Sequence, residues 1–376
     1  PAIESFYNTS TNKYTLVKLT QRYDNALLPH IEVVDMQKQK KQKRIKGIFS
    51  DTLITALEET KKAGKQSILF QNKKGYVPVL ECNVCSWTPK CKNCDISLTF
   101  YKYQNNLRCH YCGYTQPVIH QCAQCGSNGI ELIGYGTERI EDELSLYLPD
   151  LIIKRLDYNT TRLKNSHKKI ISAFAKGEID VLIGTQMVAK GLDFENVQTV
   201  GILNADHLIN FPDFRANERA FQMLSQVAGR AGRRKLQGNV YLQTSKPNHY
   251  TITKVVEHDY EGMYEAELTE RVTFSYPPFN RLIKVTLKHK DALELYKLGL
   301  QCKTHLLNYF GSNLLGPEKP YVSKIRNLYI LNFVLKIENN GTKIRVQKER
   351  LRQAINELQK DKAYSTTRII VDVDPV

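Results

Sequence analysis

Eight of the chain's nine cysteines fall between residues 82 and 125, as four CxxC pairs: Cys82/Cys85, Cys91/Cys94, Cys109/Cys112 and Cys122/Cys125. No other feature narrows the possible folds as much. Two cysteines at this spacing are poorly placed to bridge each other, but together they can grip one metal ion. A closed structural site takes four thiolates, so eight cysteines make two Zn2+ sites of four Cys each, and each site needs two pairs. Three pairings are possible. Sequential pairing joins first with second and third with fourth. Interleaved pairing joins first with third. Nested pairing joins Cys91/Cys94 with Cys109/Cys112, and Cys82/Cys85 with Cys122/Cys125. The 14 residues between Cys94 and Cys109 have a ribbon-hairpin length, with ISLTFYKY and QNNLRC as its strands, and favour nesting. A redox CxxC would not need four copies, and His110 beside Cys109 is not required as a ligand when eight cysteines already pair. Metal binding should be much of this module's folding energy, because its apolar mass is small.

Aromatic and basic residues interleave within it: Trp87, Phe100, Tyr101, Tyr103, Tyr111 and Tyr114 with Lys90, Lys92, Lys102 and Arg108. Such a mix suits base stacking beside phosphate contacts. It equally suits a small core around two metal ions, and half of these aromatics are expected there.

On both sides of the module the pattern is that of an α/β sheet. Helical spacing covers 51–64, 136–149, 163–176 and 216–233, with 246–272 mostly helix. Short apolar runs at 66–72, 151–157, 179–185, 199–206 and 239–244 read as strands, and KYTLVKL (13–19) alternates like one. Strands alternating with helices imply a parallel sheet covered on both faces. Past YPPF (276–279) the expected order is strand 281–288, helix 291–309, strands near 319–325 and 328–337, helix 343–360 and strand 367–374. That β-α-β-β-α-β order is the split βαβ sandwich. The expected domains are 1–47 as an upstream tail and basic linker, 48–81 with 126–270 as the sheet domain, 82–125 as the metal module, and 271–376 as a basic C-terminal domain.

The net charge of +16 points to a polyanion, most simply nucleic acid. Residues 271–376 carry 19 Lys+Arg against 9 Asp+Glu, so about +10 of it lies there. The basic stretch KIRNLY places Lys324 and Arg326 on the expected DNA-facing surface, and GTKIRVQKERLRQ (341–353) is a basic helix start. No apolar run is long enough to cross a membrane. No export-signal pattern stands at the start, so the reducing cytoplasm is the expected compartment. Cys302 is expected as a small core residue.

Two further stretches carry chemistry. SQVAGRAGRR (225–234) sets Gln226, Gly229, Arg230 and Arg233 in the order QxxGRxxR, and VLIGTQMVAKGLDF precedes it. On one helix, positions 226, 229/230 and 233 share a face, and two guanidiniums a turn apart can clamp a transferring phosphoryl group.

With these residues the chain resembles lobe 2 of superfamily 2 helicases. SILFQNKKGY, the four CxxC pairs, GYGTERIEDEL, IGTQMVAKGLDF, DFRANERAFQMLSQVAGRAGR, YPPF and VDVDP make it similar to the PriA family of replication-restart DNA helicases over essentially its whole length. The resemblance implies a RecA-like lobe 2 with an inserted two-zinc module, and nested cysteine pairing. It implies Gln226, Arg230 and Arg233 as motif VI facing nucleotide phosphates, with Gly191, Asp193 and Gly229 at the nucleotide cleft. Thr137 and Thr185 would hold the DNA backbone. The implied activity is ATP-dependent 3′-to-5′ unwinding at stalled or branched forks, with ATP and Mg2+ in the full-length enzyme. Implied partners are branched and single-stranded DNA, single-strand-binding protein and other primosome proteins including the replicative helicase loader; the protein would be a nucleoid-associated monomer.

Neither GxxxxGK[ST] nor a DExH/DExD box occurs. The resemblance places PAIES directly after lobe 1, so the chain is expected to lack the Walker lobe and to be inactive alone. The competing reading is a non-enzymatic zinc-ribbon platform that binds nucleic acid; such a platform has no use for QxxGRxxR behind GTxxxxxGLDF.

Overall fold

The computed structural model describes residues 1–19, 27–72, 79–101, 104–133, 136–157, 166–189, 194–232 and 237–375. They fall into two compact units, residues 1–77 with 135–267, and residues 78–134 with 268–376.

In the first unit, Gln66–Phe70 and Val181–Gly184 are buried at every position. Such strands have no polar face because helices cover the sheet on both sides. They lie inside a six-stranded sheet in the order His30–Asp35, Asn239–Thr244, Val197–Ile202, Gln66–Phe70, Val181–Gly184, Ile153–Leu156. Every pairing in it is parallel. The helix Asp51–Lys62 starts at Ser50, whose hydroxyl accepts the Leu53 N–H at 3.2 Å. It stops ahead of Gly64, which holds φ +66. Its Leu53 and Leu57 pack with Phe49, Leu69, Ile140, Leu144 and Ile183 in one apolar cluster.

Two expectations for this unit change, and a third is refined. His30–Asp35 is an edge strand paired along its whole length with Asn239–Thr244, so the sheet begins ahead of residue 48. Residues 13–19 form no strand, and Val17 and Leu19 stand 77% and 90% exposed. The stretch 246–272 is two helices, Tyr250–Val256 and Tyr260–Thr273, parted where His258 takes φ +55. The second of these runs across the expected boundary at 270.

In the second unit the cysteine module is closed at its base by Val79–Cys82 pairing antiparallel with Ile130–Ile133. Residues 79–81 and 130–133 therefore go with the module rather than with the sheet domain. Within it, Thr99–Tyr101, Asn106–Arg108 and Thr115–Pro117 form a three-stranded antiparallel ribbon, the hairpin expected between the inner pairs.

The C-terminal domain has the expected β-α-β-β-α-β order. Its antiparallel sheet runs Leu314–Glu318, Leu328–Glu338, Asn280–His289, Arg368–Val373. Helices Ala292–Phe310 and Gly341–Lys360 are capped by Asp291 and Asn340, which accept backbone N–H groups of Glu294 at 2.8 Å and Thr342 at 3.1 Å. Val285, Leu298, Cys302, Leu306, Phe333, Leu351 and Ile355 form the core between them. Cys302 is fully buried there, and burial pushes its thiol up to about 12. The strand expected at 319–325 lies at Leu314–Glu318, leaving Lys324–Ile325 as a short arm paired with Leu328 and Tyr329.

Candidate metal centres and phosphate-facing turn

The eight module cysteines gather into two groups, Cys82, Cys85, Cys122, Cys125 and Cys91, Cys94, Cys109, Cys112. This is the nested arrangement. Within each group the sulfurs lie within 4.8 Å of one another. Cys82–Cys125 and Cys85–Cys122 are 3.6 Å apart, and Cys91–Cys112 is 3.5 Å. Zn–S bonds of about 2.3 Å in a tetrahedron set the sulfurs about 3.8 Å apart, so the donor sets fit zinc. None of the nine cysteines forms a disulfide.

Local sequence builds three of the four turns. Gly113 and Gly126, directly after Cys112 and Cys125, take φ +77 and +71, and Ser86 after Cys85 takes φ +57. This left-handed step lets the Ser86, Gly113 and Gly126 N–H groups fold back to the carbonyls of Cys82, Cys109 and Cys122 at 2.8, 3.0 and 3.0 Å. Further backbone N–H groups reach the sulfurs, from Asn93 to Cys91 and from Gln124 to Cys122, each at 3.4 Å. Such bonds favour the thiolate that a metal needs. The backbone N–H of Cys85 leads those that hold Cys82 down to about 7. Against the effect of burial, the Tyr114 N–H and the Cys91 and Cys109 thiols bring Cys112 to about 7.

Leu98 and Leu107, both fully buried, form the module's small core with Leu80, Cys91, Cys94 and Cys109. Phe100 and Tyr114 pack against it, while Tyr111 is 43% exposed. Trp87 is half-buried, and Lys92 lies 4.7 Å from the Tyr114 ring centroid. Tyr103 and Lys102 lie outside the described residues. His110 is no ligand; its ring meets the Thr99 hydroxyl at 3.1 Å.

The QxxGRxxR segment is not one continuous helix. The helix Ala216–Ala228 buries Ala220, Phe221, Leu224, Val227 and Ala228, leaves Gln226 exposed, and is capped by Gly229. Arg230 follows in a turn, its N–H bonded to the Val227 carbonyl at 3.0 Å, and Gly232 is tied to the Val197 carbonyl at 3.0 Å. Arg230 therefore leaves the helix axis, and the expected common face from 226 to 233 ends at the cap. Arg233, Gly191 and Asp193 lie outside the described residues.

Thr185 follows Val181–Gly184 at the carboxyl end of the sheet and is 7% exposed. A Cβ on Gly184 would come within 2.2 Å of Val188, so only glycine lets the next helical turn fold this closely over the strand. Thr137 opens the helix Thr137–Tyr147, and its hydroxyl donates to Asp157 at 2.5 Å. Asp157 also meets Arg155 at 3.2 Å, and Arg155, 4% exposed, reaches Glu141 at 2.6 Å and Glu138 at 3.4 Å. The Thr137 hydroxyl is thus bound inside a buried ionic network rather than open to a phosphate. Sequence patterning misses that network because its members, at 137, 138, 141, 155 and 157, meet only after the helix docks on its strand.

Lys324 is half-buried and Arg326 is exposed. The Arg326 guanidinium donates to the Tyr111 carbonyl at 3.1 Å, and Lys324 lies 5.2 Å from the Tyr329 ring centroid. The short arm that carries them rests on the cysteine module.

Comparison with known proteins agrees with this architecture segment by segment. The family model for the PriA DNA helicase Cys-rich region (CRR) domain matches residues 91–117. The helicase conserved C-terminal domain matches 136–235, and the primosomal protein N C-terminal domain matches 273–376. Replication restart protein PriA of Bacillus subtilis is 40% identical over 338 residues, covering 89% of this chain and 42% of that protein. PriA of Chlamydia muridarum is 35% identical over 389 residues, covering 100% of this chain and 50% of that protein. The chain spans about half the length of the curated relatives it matches. S. cerevisiae Dbp5 bound to RNA and ADP BeF3 is similar at 12% identity over 70% of this chain and 51% of that one, with a TM-score of 0.36, a likeness too slight to bear on the fold. With the inner cysteine site, much of the parallel-sheet lobe and the split βαβ domain falling on three matched segments, the chain belongs to the PriA family.

Proposed function

We propose that this chain is the lobe-2, zinc and C-terminal portion of an ATP-driven 3′-to-5′ DNA helicase that acts at stalled or branched replication forks and starts primosome assembly. The observation that carries the reading is the joining in one chain of a parallel-sheet lobe, bearing Gln226, Gly229 and Arg230 at the end of a buried helix, with a two-site cysteine module. A zinc-binding platform alone has no need of an arginine set in that turn.

The chemistry divides among the parts. Arg230 and Arg233 neutralise the charge on the nucleotide's transferring phosphoryl group, with Gly191 and Asp193 lining the same cleft. Thr185, at the carboxyl end of the sheet, holds the DNA backbone together with nearby N–H groups. ATP and Mg2+ bind in the full-length protein between this lobe and a second one. Zn2+ in the two four-cysteine sites supplies a folded scaffold rather than a reactive centre, because all four positions of each tetrahedron are protein thiolates. The basic helix Gly341–Lys360, with Lys343, Arg345, Lys348, Arg350 and Arg352, supplies salt-sensitive, sequence-independent DNA affinity. Single-strand-binding protein and the replicative helicase loader are the protein partners, in the cytoplasm.

The test uses the full-length protein. Arg230→Ala and Arg233→Ala should each abolish most DNA-dependent ATPase activity, while a Cys91→Ser/Cys94→Ser double variant keeps ATPase and loses unwinding. Arginine variants with full ATPase would refute the assignment.

A further inference from the structure

Three of the four cysteine turns are self-contained. In each, the residue after the second cysteine, Ser86, Gly113 or Gly126, bonds back to the first cysteine's carbonyl. The Cys91/Cys94 turn departs from this. Asp95 stands where the others have serine or glycine in the left-handed region, and its N–H bonds the Lys324 carbonyl at 2.8 Å. The sulfur of Cys94 receives its N–H from Arg326, 3.3 Å away and 232 residues further along the chain.

The donor comes from a hairpin suited to giving one. Lys324↔Tyr329 and Ile325↔Leu328 pair, leaving the two-residue tip Arg326–Asn327 at φ +51 and +63. Both tip residues are left-handed, as in a type I′ turn, and their N–H groups project outward from the ladder. Here they bond Cys94 sulfur and the Asn93 carbonyl, the latter at 2.8 Å. Ser323 fixes the arm from the side by donating to Asp95 at 2.9 Å, and Ile325 packs against the module's small core. A left-handed arginine is uncommon and persists where its surroundings hold it.

We propose that the hairpin 323–327 of the C-terminal domain completes the Cys91/Cys94 turn in place of the turn's own backbone, so that the inner metal site and the docking of the C-terminal domain on the module stabilise each other. Arg326 is a positioning residue for this site through its main chain. Its N–H lowers the charge density on the Cys94 thiolate, as hydrogen bonds around metal ligands do elsewhere. The outer site, Cys82/Cys85/Cys122/Cys125, takes no bond from the hairpin and should not sense it. The inference stands apart from any helicase activity.

The test is chelator-driven release of zinc from the full chain, read with a chromophoric chelator that resolves two ions. Arg326→Pro removes the N–H and the left-handed step; it should speed release of one ion about 10- to 100-fold and leave the other unchanged. Arg326→Gly keeps both features and should match the unaltered chain. Asp95→Gly added to Arg326→Pro should restore slow release, because that turn can then close on itself. Hydrogen exchange along Asn280–His289 verifies that the C-terminal domain stays folded. If Arg326→Pro unfolds it, Ser323→Ala with Asp95→Ala serves instead and should give a smaller acceleration of the same ion. Unchanged release in a folded variant, or equal acceleration of both ions, overturns the proposal.

Discussion

The parallel-sheet lobe and the cysteine module solve the same problem with different means. The lobe buries whole strands such as Gln66–Phe70 and Val181–Gly184 beneath helices, and its apolar cluster alone gathers Phe49, Leu53, Leu57, Leu69, Ile140, Leu144 and Ile183. The module has Leu98 and Leu107 as its fully buried leucines, and half of its buried cluster is cysteine. Where apolar area is scarce, sulfur–metal bonds take the place of a core. The lobe should keep its fold when the metal is removed; the module should not.

The largest effect therefore follows from taking the metal away. Apparent binding free energies for structural zinc are about 10–16 kcal/mol, most of it folding energy. Chelation should strip exchange protection from Leu98 and Leu107 while Ile68 and Ile183 in the sheet keep theirs. Equal loss in both regions would erase the contrast. Next comes Arg155→Ala, which leaves Asp157 buried without its cation. It should lower the lobe's stability by about 3–5 kcal/mol, read by denaturant unfolding, with two zinc ions still bound. Smaller again is Thr137→Val, which withdraws one hydroxyl from Asp157 but leaves Arg155 in place; about 1–3 kcal/mol is expected. If Thr137→Val costs nothing in stability but weakens DNA binding, its hydroxyl acts on phosphate and the buried-network account of it fails. Finally, acidification should release zinc before the lobe unfolds, because each ligand must stay deprotonated to hold the metal.

The contrast also decides what the sequence could reveal. Buried strands such as Gln66–Phe70 are short continuous apolar runs bounded by turns, so their place in a covered parallel sheet is written locally. The nested cysteine pairing was legible for a similar reason, since the hairpin between Cys94 and Cys109 leaves its length in the sequence. His30–Asp35 was missed because an edge strand buries only two of its six residues and sits beside the lysine-rich run 38–46. KYTLVKL carries the same alternation and forms no strand, since periodicity states which face could be buried and not whether a partner is there. The long helix 216–233 was drawn through Gly229, which instead caps it and turns Arg230 aside. Lys324 and Arg326 show what charge alone leaves out. Their charge is visible in the sequence, but the destination of the Arg326 main-chain N–H, a sulfur 232 residues away, is not.

The nested arrangement is tested most directly by metal counting on a Cys82→Ser/Cys122→Ser double variant, using native mass spectrometry of the full chain. Both residues belong to the outer group, so one zinc ion should remain bound, held by Cys91, Cys94, Cys109 and Cys112. Loss of both ions would place Cys82 and Cys122 in different sites and contradict the account.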